Sequence, residues 1–115
     1  MGADVWSAGT GASVRRGDVG YTVLAAGGDT GGRYALALVS APGGAVGEER
    51  RWDADAGFHV LDGAVAFTVG ERRFEAAAGA ALHLPAGTAH SFAVLGNTPA
   101  RFLAWVAPAL DAFPA

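Results

Sequence analysis

The sequence predicts an all-β domain, a sandwich or barrel of short antiparallel strands. Three observations carry this. The chain has 115 residues, enough for one buried core and too few for two. Eighteen glycines run through its whole length, a pattern of frequent turns rather than of a helical bundle. Between them lie short apolar runs rich in Val, Phe, Tyr and Leu, recurring about every 8–12 residues.

Taken in order, Tyr21–Ala25 reads as the first clear strand, and Tyr34–Ser40 follows after Asp29-Thr30-Gly31-Gly32. Phe58–Leu61 and Ala64–Val69, separated by Asp62-Gly63, read as a tight hairpin with a type I′ turn, because Asp and Gly tolerate positive φ. Gly70-Glu71 begins a second reversal into Arg72–Ala76. The Ala-rich stretch Glu75–Ala81 has helix-forming composition, yet Gly79 and its position between strand signals make it strand and turn. Leu82–Leu84 stops at Pro85, and His90–Val94 and Arg101–Val106 complete the series. Ala109–Phe113 reads as a helical turn. Residues 1–19 form an N-terminal strand or arm, and residues 20–115 the domain.

Composition narrows the function. Hydrophobic residues make up 51% of the chain and charged ones 17%, which excludes a disordered segment. No apolar run has the length of a membrane span, and no signal-peptide pattern opens the chain, so a cytoplasmic protein without a membrane partner is expected. There is no cysteine, hence no thiolate nucleophile or thiolate metal site. The net charge is −3 and the basic residues are scattered pairs, which argues against nucleic acid as a partner. Every one of the eight basic residues is Arg; Lys, Ile and Gln are absent, the coding bias of a GC-rich genome. Gly31-Gly32 and Gly43-Gly44 are turns and not phosphate loops, since neither carries a dinucleotide or Walker pattern.

Leu84-Pro85-Ala86-Gly87-Thr88-Ala89-His90-Ser91-Phe92, preceded by Gly79, resembles the second motif of the cupin superfamily. Val60–Gly70, with Thr30-Gly31-Gly32 and Pro42-Gly43-Gly44 upstream, resembles the flanks of its first motif. Pro99–Leu103 and Pro108–Phe113 fit the small single-domain cupins often labelled quercetin-dioxygenase-like. The resemblance implies a double-stranded β-helix, a jelly-roll barrel with a pocket between its sheets, and a homodimer. It also implies a divalent metal held by His-x-His, a Glu and a later His. Counted back from Gly63, the Glu position falls on Ala56, and the His-x-His positions fall on Glu49 and Arg51, or on Arg50 and Trp52 under the alternative spacing. Only His90 matches a ligand, and Val94 stands at the motif's closing Asn position. One imidazole beside a guanidinium is a poor divalent site, so no metal and no cofactor are expected.

Such a pocket has other chemistry open to it. Arg51 can hold an oxyanion or carboxylate by paired hydrogen bonds, Glu49 can act as a general base, and His90 can pass a proton. Glu49 and Arg51 can equally form a structural ion pair with each other. Arg50, Trp52, Tyr34, Phe58, Phe92 and Trp105 are the candidate substrate-binding residues, the aromatic ones suiting a planar ligand. His59 faces away from Phe58 and Val60 by strand alternation, and it and His83 are expected to be structural. The leading expectation is a metal-independent acid–base enzyme, a cyclase, dehydratase or isomerase of secondary metabolism, acting on an aromatic or enolisable small molecule. The alternatives are a non-catalytic ligand-binding or sensing cupin, and a metal-dependent dioxygenase with atypical ligands.

Overall fold

The computed structural model describes residues 12–110. Among them are β1 (Ala12–Arg16), β2 (Val19–Ala25), β3 (Ala35–Ala41), β4 (Arg50–Arg51), β5 (Asp55–Asp62), β6 (Ala64–Val69), β7 (Arg72–Ala77), β8 (Ala81–Leu84), β9 (Ala89–Val94) and β10 (Ala100–Ala107), with one short 3-10 turn at Gly27–Asp29. They form a six-stranded sheet in the order β1-β2-β3-β10-β5-β8 and a four-stranded sheet in the order β4-β9-β6-β7. All the pairings are antiparallel. This is the expected jelly-roll sandwich, and no helix among the described residues is long and apolar enough to cross a membrane.

Strand alternation builds the core. Along β10, Ala100, Phe102, Ala104 and Val106 are buried, while Arg101 and Trp105 turn outward. Phe102 meets Phe67 of β6 edge-on at 5.4 Å between ring centres and Phe58 of β5 at 5.6 Å. Phe58 and Phe67 stack at 4.8 Å, so one ring cluster ties the two sheets together. Val39, Val60, Val65, Leu84 and Val106 complete the fully buried set, each side chain contributing about 1.5–3 kcal/mol by burial.

The strand runs read from the sequence are all present, but one connection differs. β5 does not pair with β6 across Asp62-Gly63: β5 lies between β10 and β8, and β6 between β9 and β7. The Asp-Gly step is a corner that carries the chain from one sheet to the other. Gly63 has φ +77°, and a Cβ there would lie 2.6 Å from the Pro99 carbonyl oxygen. The glycine therefore serves both the turn and a close approach to the strand entering β10. The hairpin at Gly70-Glu71 does form, pairing Val69 with Arg72. Glu75–Ala81 is strand and turn as expected, with the Gly79 amide donating to the Val60 carbonyl.

β1 pairs with β2 at the edge of the larger sheet. The arm reading for residues 1–11 lies outside the described residues, as does the last part of the helical turn read over Ala109–Phe113.

Candidate functional site

The second-motif residues Ala89–Val94 form β9, and His90 faces inward from it. The two-residue strand β4 pairs with β9 so that Arg50 stands directly opposite His90, and Arg51 opposite Ala89. Residues opposite one another in a ladder share a face. Arg50 therefore points inward with His90, and Arg51 points out and is exposed. Glu48 and Glu49 are exposed too, but Glu48, like the partly buried Arg50 and Trp52, borders the cavity between the sheets. Of the two spacings the sequence permits, the fold uses the one that brings Arg50 and Trp52 inside.

Tyr21, Val39, Glu48, Arg50, Trp52, Phe58, His90, Phe92, Phe102 and Ala104 line this chamber. His90 is only 6% exposed. Trp52 packs on it with ring centres 4.6 Å apart, and Phe58 lies at 5.8 Å. The Arg50 guanidinium sits over the Tyr21 ring, 5.4 Å from its centre, a cation–π contact in place of an ion pair. Glycine at 47 lets the preceding loop lie against Phe92: a Cβ there would overlap the Phe92 ring, and the Gly47 amide donates to the Phe92 carbonyl at 2.9 Å.

His90 has a defined tautomer in this setting. Its Nδ1 lies 3.4 Å from the Thr88 carbonyl oxygen, and a carbonyl only accepts, so Nδ1 carries the proton. The Nε2 lone pair is then left over. His90 is among the residues that line the chamber. Burial lowers the His90 pKa most, because it penalises the imidazolium. The Thr88 hydrogen bond raises it, the Arg50 charge lowers it, and the Glu49 charge raises it least, with a net shift downward. The downward shift favours the neutral imidazole near neutral pH.

Several expected residues stand elsewhere. Tyr34, 37% exposed, and Trp105, 36% exposed, lie outside the chamber lining. Trp105 is on the outer face of the larger sheet because it shares the parity of Arg101 in β10. Its indole covers Gly57, where a side chain would strike it. Glu49 and Arg51 form no ion pair; among the described residues the ion pairs are Arg73–Glu75 and Arg101–Asp62. His59 and His83 are both exposed. Phe58, Phe92, Trp52 and Arg50 are in the chamber as expected. Tyr21, Glu48 and Phe102 were not anticipated there. The alternation of Glu48, Arg50 and Trp52 was the available signal for the second of these.

The aromatic lining does not form an open slot for a planar ligand. The rings pack on one another, Phe92 meeting Phe102 edge-on at 5.1 Å. The free space they leave is about 20 Å³, room for about one water-sized body. A second, wider cavity of about 220 Å³ adjoins it, bounded by the β1–β2 turn and the segment 45–50. Tyr21, Glu48 and Arg50 border both.

The chain belongs to the cupin domain family, whose pattern it matches over residues 37–106. No curated protein sequence matches it. Among solved structures, it is similar to one from Thermotoga maritima described as a predicted oxalate decarboxylase, with 19% identity and a TM-score of 0.81 over 90% of this chain and 98% of that one. It is also similar to KdgF from Halomonas, with 16% identity and a TM-score of 0.80 over 94% and 97% of the two chains. The polyketide cyclase RemF from Streptomyces resistomycificus has 19% identity and a TM-score of 0.77, over 94% and 80%. At such identities the likeness is one of fold.

The divalent metal that the resemblance implies can be tested against the donors present. Among the described residues no group of three or more His, Asp or Glu side chains converges. At the motif positions the chamber offers one imidazole, and the guanidinium facing it repels a cation and cannot become a ligand. The donor set does not fit a divalent ion.

Proposed function

We propose that the protein is a metal-independent acid–base enzyme acting on an enolisable small molecule, with His90 as the proton-transfer group and Arg50 as the oxyanion partner. The observation that carries this reading is the opposition of His90 and Arg50 across the β9–β4 ladder in a nearly dry chamber. The neutral imidazole takes a proton from the carbon beside a carbonyl, through Nε2. Negative charge develops on the carbonyl oxygen, and the Arg50 guanidinium, which is always charged, stabilises it by hydrogen bonding. The imidazolium so formed then returns the proton to another atom of the same substrate. The oxyanion role expected of Arg51 thus passes to its inward-facing neighbour Arg50, and the base role expected of Glu49 to His90. RemF is named a polyketide cyclase, and cyclisation is among the reaction types this pair supports. The fold alone does not choose between cyclisation, dehydration and isomerisation.

Deuterium wash-in from D2O at the carbon next to the carbonyl of pyruvate and 2-oxobutyrate, followed by proton NMR, tests the assignment. His90→Gln and Arg50→Met are each expected to slow exchange by about 10²–10³-fold. Exchange that survives in both variants overturns it. Exchange that requires an added divalent ion and stops on chelation restores the metal-dependent reading. Ligand binding with no exchange on any carbonyl compound favours the sensing cupin.

A further inference from the structure

The two cavities divide the work unequally, and their linings show how. The chamber holds little more than one water-sized body, whereas the adjoining space is about 220 Å³. A substrate therefore cannot sit inside among the aromatic rings; only its reacting end reaches His90. The adjoining vestibule has a different chemical character. Arg16 and Asp18 line it from the exposed β1–β2 turn, and Glu48 and Arg50 from the opposite side. Among the described residues none of these four is in an ion pair, so two guanidinium groups and two carboxylates border one space. Its wall at 45–47 is laced to β9, Gly44 donating to the Val94 carbonyl and Val94 to that of Ala45. The space is thereby held open on that side by backbone hydrogen bonds.

We infer that the vestibule is the principal substrate subsite, and that it selects a small carboxylic acid bearing a further donor-and-acceptor substituent, a hydroxy acid or an amino acid. The inference rests on the chamber assignment proposed above. The carboxylate or the carbonyl beside it reaches Arg50 at the boundary of the two spaces, and the substituent lies between Asp18, Arg16 and Glu48. Arg16, Asp18 and Glu48 are exposed, so a hydroxyl or ammonium substituent takes the place of water on them, which a bare alkyl acid does not, and that difference is the source of selectivity. Arg16 and Asp18 are then specificity residues, and they take no part in the proton transfer.

The test uses butyrate, glycerate and serine as probes, titrated into the full-length protein and followed by amide chemical shifts. Glycerate or serine is expected to bind about tenfold more tightly than butyrate, with shifts at Gly17 and Gly47. Preference for serine identifies an amino acid, and preference for glycerate a hydroxy acid. In the doubly substituted Arg16→Ala, Asp18→Asn protein the preference for glycerate or serine over butyrate should disappear. Among the described residues the Asp18 side chain makes no hydrogen bond, and its backbone carbonyl still accepts from Arg15, so this protein is expected to fold. Equal affinity for the three probes, no binding at about tens of millimolar, or selectivity that survives the double substitution each overturns the inference. Repeating the titration with His90→Gln separates the two readings. Selective binding retained there, together with wild-type protein that exchanges no deuterium, rejects the acid–base function and leaves the subsite standing.

Discussion

His90 sets the pH behaviour of the fold as well as the chemistry of the chamber. Desolvation holds its pKa below the ordinary value of 6.5, so the unfolded chain binds a proton at higher pH than the folded one does. Between those two values the unfolded state carries more protons, and stability falls as the pH drops through the window. The folded protein thus loses stability below about pH 6.5, and His90→Phe should flatten that part of a melting-temperature profile measured from pH 7.5 to 5. An unchanged slope would show that other groups produce it. Gly47 makes a second residue-scale case. Alanine there must displace the Phe92 ring or the loop that lies on it, a cost of about 1–3 kcal/mol of overpacking. Urea titration should record that loss, and probe binding should weaken with it, because Phe92 is a chamber wall.

At the scale of elements, the corner between β5 and β6 carries more than a hairpin turn would. Gly63 combines positive φ with a backbone carbonyl, that of Pro99, 2.6 Å from where a Cβ would stand. Gly63→Ala should therefore destabilise by more than the ~1 kcal/mol of a simple left-handed penalty, whereas Asp62→Asn should cost less than about 1 kcal/mol. Asp62 is paired with Arg101 across the sheet, but both side chains are about half exposed, and exposed pairs contribute little. If the two substitutions prove equal in denaturant midpoint, the close packing at this corner is not what the glycine serves. The β4–β9 ladder is the functional counterpart. It contains only two residue pairs, yet its register alone decides which of two adjacent arginines faces His90.

The whole molecule presents an outer face on its larger sheet where Trp105 is exposed and Leu36 and Leu103 are half-buried. A homodimer, expected from the family resemblance, has an apolar seat available there. Light scattering on wild-type protein and Trp105→Arg tests it. A dimer that dissociates on substitution supports this face, a dimer that persists places the interface elsewhere, and a monomeric wild type removes the expectation.

The sequence by itself determined the strands, because period-two alternation and glycine punctuation are local signals. It also determined the cupin identity, through the spaced residues around Pro85, Gly87 and His90, and the short supply of metal donors, since only three histidines exist to be used. The face that Trp105 shares with Arg101 and Leu103 was legible for the same reason, but not that this face is the outer one, since Trp105 was expected at the pocket. Only the tertiary structure decided that β5 and β6 lie in different sheets, because strand partners are chosen by long-range packing and the Asp-Gly turn suits a corner as well as a hairpin. It alone decided that Arg50 rather than Arg51, and Glu48 rather than Glu49, face the cavity. A shift of one residue reverses every side chain in a strand, and in the short charged segment before Trp52 no local hydrophobic pattern fixes that parity. The size of the chamber was decided there as well. Aromatic side chains read in order along a chain do not reveal whether they enclose a ligand or fill the space with one another.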